Sequence, residues 1–239
     1  MNFTLAPLTR SRPFIGPLMW ALCASIAGCA WRQRPDLPPP PARAPLLDPN
    51  SAFWRTQAPR LFDARVETSA GVFLLEIHRD WAPLGADRFY DLVRAGYYDD
   101  SRFTRVVPAF IAQFGVAGDS AVATTWYHRG FPDDSVKTSN VRGTIGFAMT
   151  GPGARTTQLY INLVDNARLD AQGFAPIGRV ISGMEDVVDR LYGGYGETSG
   201  GGVRAGHQGP LVAGGNAYVD RAFPKLDHLI RITVVHVEQ

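Results

Sequence analysis

The chain has few cysteines, and both lie close to its amino terminus. Cys23 and Cys29 are the only cysteines in 239 residues. Residues 63–239 therefore contain none, which excludes a disulfide, a cysteine nucleophile and a thiolate metal site from the part predicted to fold. A domain without cysteine also tolerates an oxidising compartment.

Signs of metal, hydrolase and nucleic-acid chemistry are also lacking. The five histidines are scattered and none forms an H-x-x-x-H pair, so we expect no metal and no cofactor. There is no G-x-S-x-G motif. Residues 1–28 hold two arginines and no acids, and the rest of the chain has 22 basic and 22 acidic residues. This balance argues against a nucleic-acid partner.

The amino terminus has the pattern of an export signal. Arg10 and Arg12 precede an apolar run from residue 14 to 26, which is too short to span a bilayer comfortably. The run ends in I-A-G-C, which resembles a bacterial lipobox with Cys29 as the lipidated residue. Ala30 after this cysteine implies sorting to the outer membrane. We therefore predict a signal peptide over residues 1–28 and a periplasm-facing lipoprotein of the bacterial cell envelope. An uncleaved signal anchor and secretion to the periplasm are the alternatives.

Proline dominates the next part of the chain, residues 29–62. Its prolines favour extended polyproline geometry, so we predict a semi-rigid linker that lifts a domain off the membrane. The alternative is a ligand for a proline-binding module.

Residues 63–239 have the pattern of a β-rich domain. Alternating apolar residues predict a hairpin of strands 64–68 and 72–77, and Pro83 and Gly96 delimit an amphipathic helix. The spacing of Met184, Val187, Val188 and Leu191 predicts a second helix. Further strands are predicted over 143–148, 158–163, 178–181 and 229–237. Many short strands and two amphipathic helices indicate a β-barrel with helices over its ends.

A glycine-rich stretch, about residues 193–216, interrupts this pattern. It lacks the strand–loop–helix context and the following Lys-Ser/Thr of a phosphate-binding loop. We predict a surface loop there.

The most informative strand contains a single arginine among apolar residues. Alternation places Arg105 on the same face as Phe103 and Val107, an unusual position for a permanent charge. A solvated face or an ion pair would explain it. The alternative is donation of fixed hydrogen bonds to a neutral amide in an apolar groove.

The order Arg105, Phe110, Gln113 resembles the F-H-R-x-x-x-x-F-x-x-Q core of the cyclophilins, the proline cis/trans isomerases. The resemblance extends over roughly residues 63–239. Residues 143–152 resemble G-x-x-x-M-A-N-x-G-P, with Met149 in the place of Asn, and residues 157–161 resemble S-Q-F-F-I. The resemblance to the cyclophilins implies a mainly β fold: a closed eight-stranded antiparallel barrel capped by two α-helices.

The resemblance also implies the roles of individual residues. Arg105 becomes the catalytic donor to the prolyl nitrogen, Gln113 orients Arg105 or binds the substrate backbone, and Phe110 forms the floor of a proline pocket. Arg168 stands where many members have Trp. The implied substrate-binding residues are Phe110, Ile111, Gln113, Ala148, Met149, Tyr160, Leu169 and Phe174.

The predicted function is a peptidyl-prolyl cis/trans isomerase that assists the folding of exported proteins. Its partners are proline-containing polypeptides, together with the membrane through a lipid anchor at Cys29. The alternative is a non-catalytic proline-peptide binding or chaperone module of the cell envelope.

Overall fold

A computed structural model of the chain describes residues 44–201 and 208–238. The predicted signal peptide, Cys29 and the first part of the predicted linker lie outside these residues. No helix in the described ranges is long and apolar enough to cross a membrane.

Nine β-strands and three α-helices lie within the described residues. The strands are β1 (Leu61–Thr68), β2 (Gly71–His78), β3 (Ser101–Arg102), β4 (Arg105–Val107), β5 (Ile111–Phe114), β6 (Thr144–Phe147), β7 (Leu159–Asn162), β8 (Pro176–Ser182) and β9 (His228–Glu238). The α-helices are α1 (Pro83–Arg94), α2 (Ser120–Trp126) and α3 (Gly209–Ala222). Short 3-10 helices occupy Ala44–Leu47, Ala52–Arg55, Ala167–Gln172, Val188–Arg190 and Gly196–Gly201.

These strands form a single curled sheet. Its order is β3-β9-β1-β2-β8-β6-β7-β5-β4, and neighbouring strands run antiparallel. Only Phe103 and Thr104 separate the two edge strands β3 and β4 in the chain, so the sheet curls into a half-barrel. The predicted mainly β, antiparallel architecture is confirmed. The described residues hold nine strands, because the segment 101–107 is interrupted at Phe103 and Thr104 and forms both β3 and β4. Closure as an eight-stranded barrel stays a prediction.

The hairpin of β1 and β2 supplies much of the core, as its alternation predicts. Phe62, Ala64 and Val66 of β1 are fully buried, and the residues between them are partly exposed. Phe73 and Ile77 of β2 are buried on the same side. Each apolar side chain taken out of water contributes about 1.5–3 kcal/mol, so this pleat fixes the register of the sheet.

Helix α1 also agrees with the sequence prediction. It begins at Pro83, which fits the first turn because that turn needs no proline N–H, and it ends before Gly96, whose φ is +69°. Phe89 and Leu92 are fully buried on its inner face.

The predicted second helix over residues 184–191 is wrong. The structure has turns there and only the short 3-10 helix Val188–Arg190. Met184, Val187 and Leu191 are nevertheless buried, so their spacing indicated burial correctly but not helix type. Two adjacent β-branched valines and a run of only eight residues disfavour an α-helix.

Helices α2 and α3 were missed by the sequence analysis. The Asp119 carboxylate caps α2 by accepting from the N–H groups of Ala121 and Val122. Helix α3 occupies part of the stretch predicted as a glycine-rich loop and tolerates its glycines through a kink at Gly215, whose φ is +51°. Its buried face includes Leu211 and Val219.

The described end of the predicted linker packs against the domain, in contrast to the predicted extended tether. We call residues 44–58 the amino-terminal strap. Leu46 is buried and its carbonyl accepts a 2.8 Å hydrogen bond from the Trp126 indole. The Trp54 and Trp126 rings lie edge to face at 4.5 Å. Apolar side chains between the prolines provide surface that is more stable buried than exposed.

Candidate active site

One pocket on the half-barrel contains all nine residues predicted for catalysis and substrate binding. Its volume is about 580 Å³. Strands β4, β5 and β7 supply one side, and the segment after β6 and the 3-10 helix Ala167–Gln172 supply the other. The lining includes Arg105, Phe110, Ile111, Gln113, Ala148, Met149, Tyr160, Leu169 and Phe174. Four separate sequence segments therefore meet at one site.

Arg105 and Gln113 face each other across β4 and β5. They are direct partners in the strand register, and Arg105 Nη1 donates to Gln113 Oε1 at 3.0 Å. Arg105 is only 6% exposed. A tight turn after β4 sets this register, since the Phe110 N–H donates to the carbonyl of Val107 at 3.0 Å.

A carboxylate that the sequence analysis did not identify holds the other edge of Arg105. Its Nε and Nη2 donate to Glu197 Oε2 and Oε1 at 2.9 and 2.8 Å. Glu197 belongs to the 3-10 helix Gly196–Gly201 in the predicted glycine-rich loop. Of the explanations left open for Arg105, the ion pair is therefore observed, and donation to a neutral amide in an apolar groove stays a prediction.

A chain of glutamines extends from Arg105 along the pocket. Gln113 Nε2 donates to Gln158 Oε1 at 3.0 Å, and Gln158 Nε2 donates to Gln208 Oε1 at 2.7 Å. Both Gln158 and Gln208 line the pocket. Gln158 stands within the resemblance to S-Q-F-F-I, so that motif was a signal for its position. Gln208 had no such signal.

The apolar floor of the pocket is a small cluster separate from the main core. Ile111, Tyr160 and Leu169 are buried in it, and Phe110, Ala148 and Phe174 pack against them half-exposed. The Tyr160 and Phe174 rings meet edge to face at 5.8 Å. The half-exposed rings leave an apolar surface large enough for a small ring from solvent.

Two guanidinium groups lie close to the phenyl ring of Phe110. The Arg105 Cζ is 5.5 Å and the Arg168 Cζ 4.8 Å from the ring centroid. Cations over an aromatic face are attracted to its negative quadrupole, so both contacts stabilise the ring in this position.

The hydroxyl of Tyr160 points away from the pocket into a buried polar network. It donates to Asn140 Oδ1 at 2.6 Å, and burial raises its pKa well above the ordinary value. Asn140 Nδ2 in turn donates to the carbonyl of Phe174 at 2.8 Å, and Asn166 Nδ2 donates to that of Phe110 at 3.0 Å. The network therefore fixes three walls of the pocket, and the pocket side of Tyr160 is its ring.

Metal-ligand geometry is not found in the described part of the chain. Within residues 44–201 and 208–238, no three His, Cys, Asp or Glu side chains form a group that could hold a metal ion. The chemistry that this site offers is hydrogen-bond donation by a guanidinium beside an apolar surface.

Comparisons with solved structures agree with the fold. The crystal structure of a Cryptosporidium parvum cyclophilin type peptidyl-prolyl cis-trans isomerase matches with a TM-score of 0.51 and 18% sequence identity, covering 74% of this chain and 99% of that one. A second structure of that protein, in the presence of the dipeptide Ala-Pro, matches with a TM-score of 0.50 and 19% identity over the same shares. The fold is therefore the cyclophilin fold.

Comparisons of sequence identify the family. A peptidyl-prolyl cis-trans isomerase A from Dickeya dadantii is 36% identical over 131 residues, which cover 52% of this chain and 67% of that protein. A peptidyl-prolyl cis-trans isomerase from Acinetobacter baylyi is 33% identical over 131 residues, 53% of this chain and 69% of that protein. The family model described as cyclophilin type peptidyl-prolyl cis-trans isomerase/CLD matches residues 64–202. The match covers more than half of the chain, which therefore belongs to the cyclophilin-type peptidyl-prolyl cis-trans isomerase family.

Proposed function

We propose that this protein is a peptidyl-prolyl cis/trans isomerase in which Arg105 donates to the prolyl amide and the apolar floor holds the proline ring. The observation that carries the proposal is the position of Arg105. Its guanidinium is buried, oriented from both sides and adjacent to the half-exposed ring of Phe110.

The reaction needs no covalent chemistry. Rotation about an X–Pro bond meets a barrier of about 20 kcal/mol, because the C–N bond has partial double-bond character. A donor aimed at the prolyl nitrogen favours the pyramidal geometry in which this character is lost. Such a donor binds the transition state more tightly than the ground state, which is the requirement for catalysis.

The guanidinium has donors left for this role. Among the described residues, its bonds to Glu197 and Gln113 engage three of the five N–H groups of an arginine. One N–H on Nη1 and one on Nη2 have no partner there.

The test is the rate of isomer exchange on an Ala-Pro tetrapeptide, measured by NMR exchange spectroscopy with the purified protein. We expect Arg105→Ala to lower kcat/KM about a hundredfold, the usual effect of removing one transition-state donor. Peptide affinity should change by less than about threefold. The matched control is Arg190→Ala, whose side chain is 71% exposed and pairs with Asp186 outside the pocket, and which should retain activity within about twofold.

Two outcomes contradict this assignment. Equal loss of turnover and affinity in Arg105→Ala makes Arg105 a binding residue. A folded wild-type protein that binds the peptide without accelerating exchange supports the alternative, a non-catalytic proline-peptide binding or chaperone module.

We also propose that β3 and β4 act as one interrupted strand, which closes the sheet as an eight-stranded barrel. Its support is that β3 pairs with β9 while β4, two residues later, pairs with β5.

For the cell, we propose a periplasm-facing lipoprotein anchored through Cys29, with exported proteins as substrates. Its support is the sequence pattern that ends at Cys29. Slow proline isomerisation limits the rate at which many proteins fold, and an isomerase in the periplasm would accelerate that step for exported proteins.

A further inference from the structure

The segment that carries Glu197 is attached to the half-barrel at several points. The N–H of Tyr192 donates to Asp227 Oδ2 at 2.7 Å. The ring of Tyr195 meets those of Tyr192 and Phe223 edge to face at 5.1 and 5.3 Å. These contacts hold residues 192–195 in place, so the position of Glu197 does not depend on its bond to Arg105 alone.

A glycine allows this segment to lie close to the strand of Arg105. A Cβ added at Gly193 would lie 2.8 Å from Cγ of Pro108, closer than Cβ atoms approach other atoms in proteins, and 3.0 Å from its Cδ. Pro108 directly follows β4. The missing side chain at position 193 therefore permits the approach that brings Glu197 to Arg105.

The pairing fixes the guanidinium in one plane. Glu197 accepts from the Nε–Nη2 edge, and Gln113 accepts from Nη1 on the other side. A two-point bond between a guanidinium and a carboxylate sets rotation as well as distance. Within residues 44–201 and 208–238, one N–H on each Nη then has no partner and is left to meet a ligand.

Building on the proposed isomerase function, we propose that Glu197 is a positioning residue for Arg105. Its carboxylate holds the guanidinium so that the remaining N–H groups are directed at the prolyl amide before substrate binds. Orientation that is already established in the free enzyme lowers the cost of reaching the transition state. Glu197 also balances a charge that is 94% removed from solvent, and an unpaired buried charge would be expelled or hydrated.

The kinetic test compares Glu197→Ala and Glu197→Gln with wild type on the same tetrapeptide. Since a positioning residue acts on the transition state, we expect Glu197→Ala to lower kcat about tenfold with KM changed less than about twofold. Glu197→Gln keeps the shape and one acceptor oxygen, so its kcat should be intermediate. The matched control is Glu185→Ala, since the Glu185 side chain is 80% exposed and pairs with Arg142. An unchanged or higher kcat in Glu197→Ala overturns the proposal.

A double-mutant cycle shows whether Glu197 acts through Arg105. Starting from Arg105→Ala, the additional change Glu197→Ala should cause no further loss, because there is no guanidinium left to orient. Losses that multiply overturn the proposal. This cycle also separates the two proposals: if Arg105→Ala retains full activity, the donor role has failed irrespective of Glu197.

A second readout does not depend on turnover. The Nε–H of Arg105 should exchange slowly with solvent in the wild-type NMR spectrum and fast in Glu197→Ala, whatever the activity of either protein. Gly193→Ala should produce the same change, since its Cβ displaces the segment from Pro108. Gly209→Ala, where an added Cβ meets nothing within 4 Å, is the matched control and should leave the signal unchanged. Slow solvent exchange of the Arg105 Nε–H in Glu197→Ala would overturn the assignment of Glu197 as a positioning residue.

Discussion

At the scale of single residues, Arg105 combines two properties that normally exclude each other. It is charged, and it is buried beside an aromatic ring. Glu197 and Gln113 offset the loss of hydration that burial causes, and they do so from the sides of the guanidinium. The site can therefore present a strong donor in a place where little water competes for it.

Tyr160 gives a residue-scale prediction about stability. The change Tyr160→Phe removes the hydrogen bond to Asn140 Oδ1, which still accepts from Asn162 Nδ2 at 3.1 Å and is not left unpaired. We expect a loss of about 1 kcal/mol in the free energy of unfolding, measured in urea, with kcat/KM within about twofold.

The control for Tyr160 is Tyr97→Phe. That hydroxyl also donates to a buried partner, Thr157 Oγ1 at 3.0 Å, but it does not line the pocket. Removal of the Tyr97 hydroxyl should lower the free energy of unfolding by a similar amount. A tenfold fall of kcat/KM in Tyr160→Phe alone would show that the hydroxyl, and not only the ring, serves the reaction.

Residue spacing predicts only the part of the site that is local in sequence. Arg105, Phe110 and Gln113 lie on two short strands joined by a tight turn, so their spacing along the chain sets their meeting in space. Glu197 pairs with Arg105 across 92 positions of sequence. No periodicity in a glycine-rich stretch predicts such a pair, because it depends on how the segment packs on the finished sheet.

At the scale of elements, the amino-terminal strap and α1 meet at an ionisable side chain, the carboxyl of Asp91. The N–H of Thr56 donates to Asp91 Oδ2 at 3.3 Å, and Arg94 Nη1 donates to Thr56 Oγ1 at 2.9 Å. Asp91 is buried, with Arg94 at 3.5 Å as its partner. Burial raises the pKa of Asp91 to about 6 from an ordinary value of 3.8, against the effect of these partners.

This raised pKa predicts a pH dependence of stability. The folded-state pKa of Asp91 lies above its unfolded-state pKa. Its contribution to the free energy of unfolding is therefore fully present below pH 3.8 and is lost as pH rises through about 6. The change amounts to about 3 kcal/mol. Asp91→Asn, which can still accept from Thr56, should remove this part of the dependence. Urea unfolding at pH 4, 5, 6 and 7 measures it, and parallel curves for both proteins contradict the prediction.

Elements with strong local signals were predicted, and those built on glycine or on tertiary packing were not. The alternation of β1 and β2 and the proline and glycine that bound α1 are readable without knowledge of the fold. The run at 184–191 has helical spacing, but its buried side chains reflect contact with the sheet. Helix α3 is stabilised through buried residues such as Leu211, although glycine disfavours helix by about 1 kcal/mol at each interior position.

At the scale of the whole molecule, the strap shortens the proposed connection to the membrane. The prediction assigns residues 29–62 to a linker, but the described residues from Pro45 onward lie on or in the domain. A proposed anchor at Cys29 is then separated from the domain by about 15 residues. Even fully extended, these reach about 50 Å. The proposed site would consequently act on substrate polypeptides close to the membrane surface.

The anchor itself gives the last prediction. In a bacterial host supplied with labelled palmitate, the wild-type protein should become labelled and sediment with the membranes. Cys29→Ala should be unlabelled, because it lacks the thiol that would be acylated. Cys23→Ala is the matched control: it removes the other cysteine, which lies inside the predicted signal peptide, and should remain labelled. Activity on the Ala-Pro tetrapeptide should be the same in all three, since both cysteines precede residues 64–202, which match the family model. Label that persists in Cys29→Ala, or that is absent from the exported wild-type protein, would show that attachment, if any, occurs by other means.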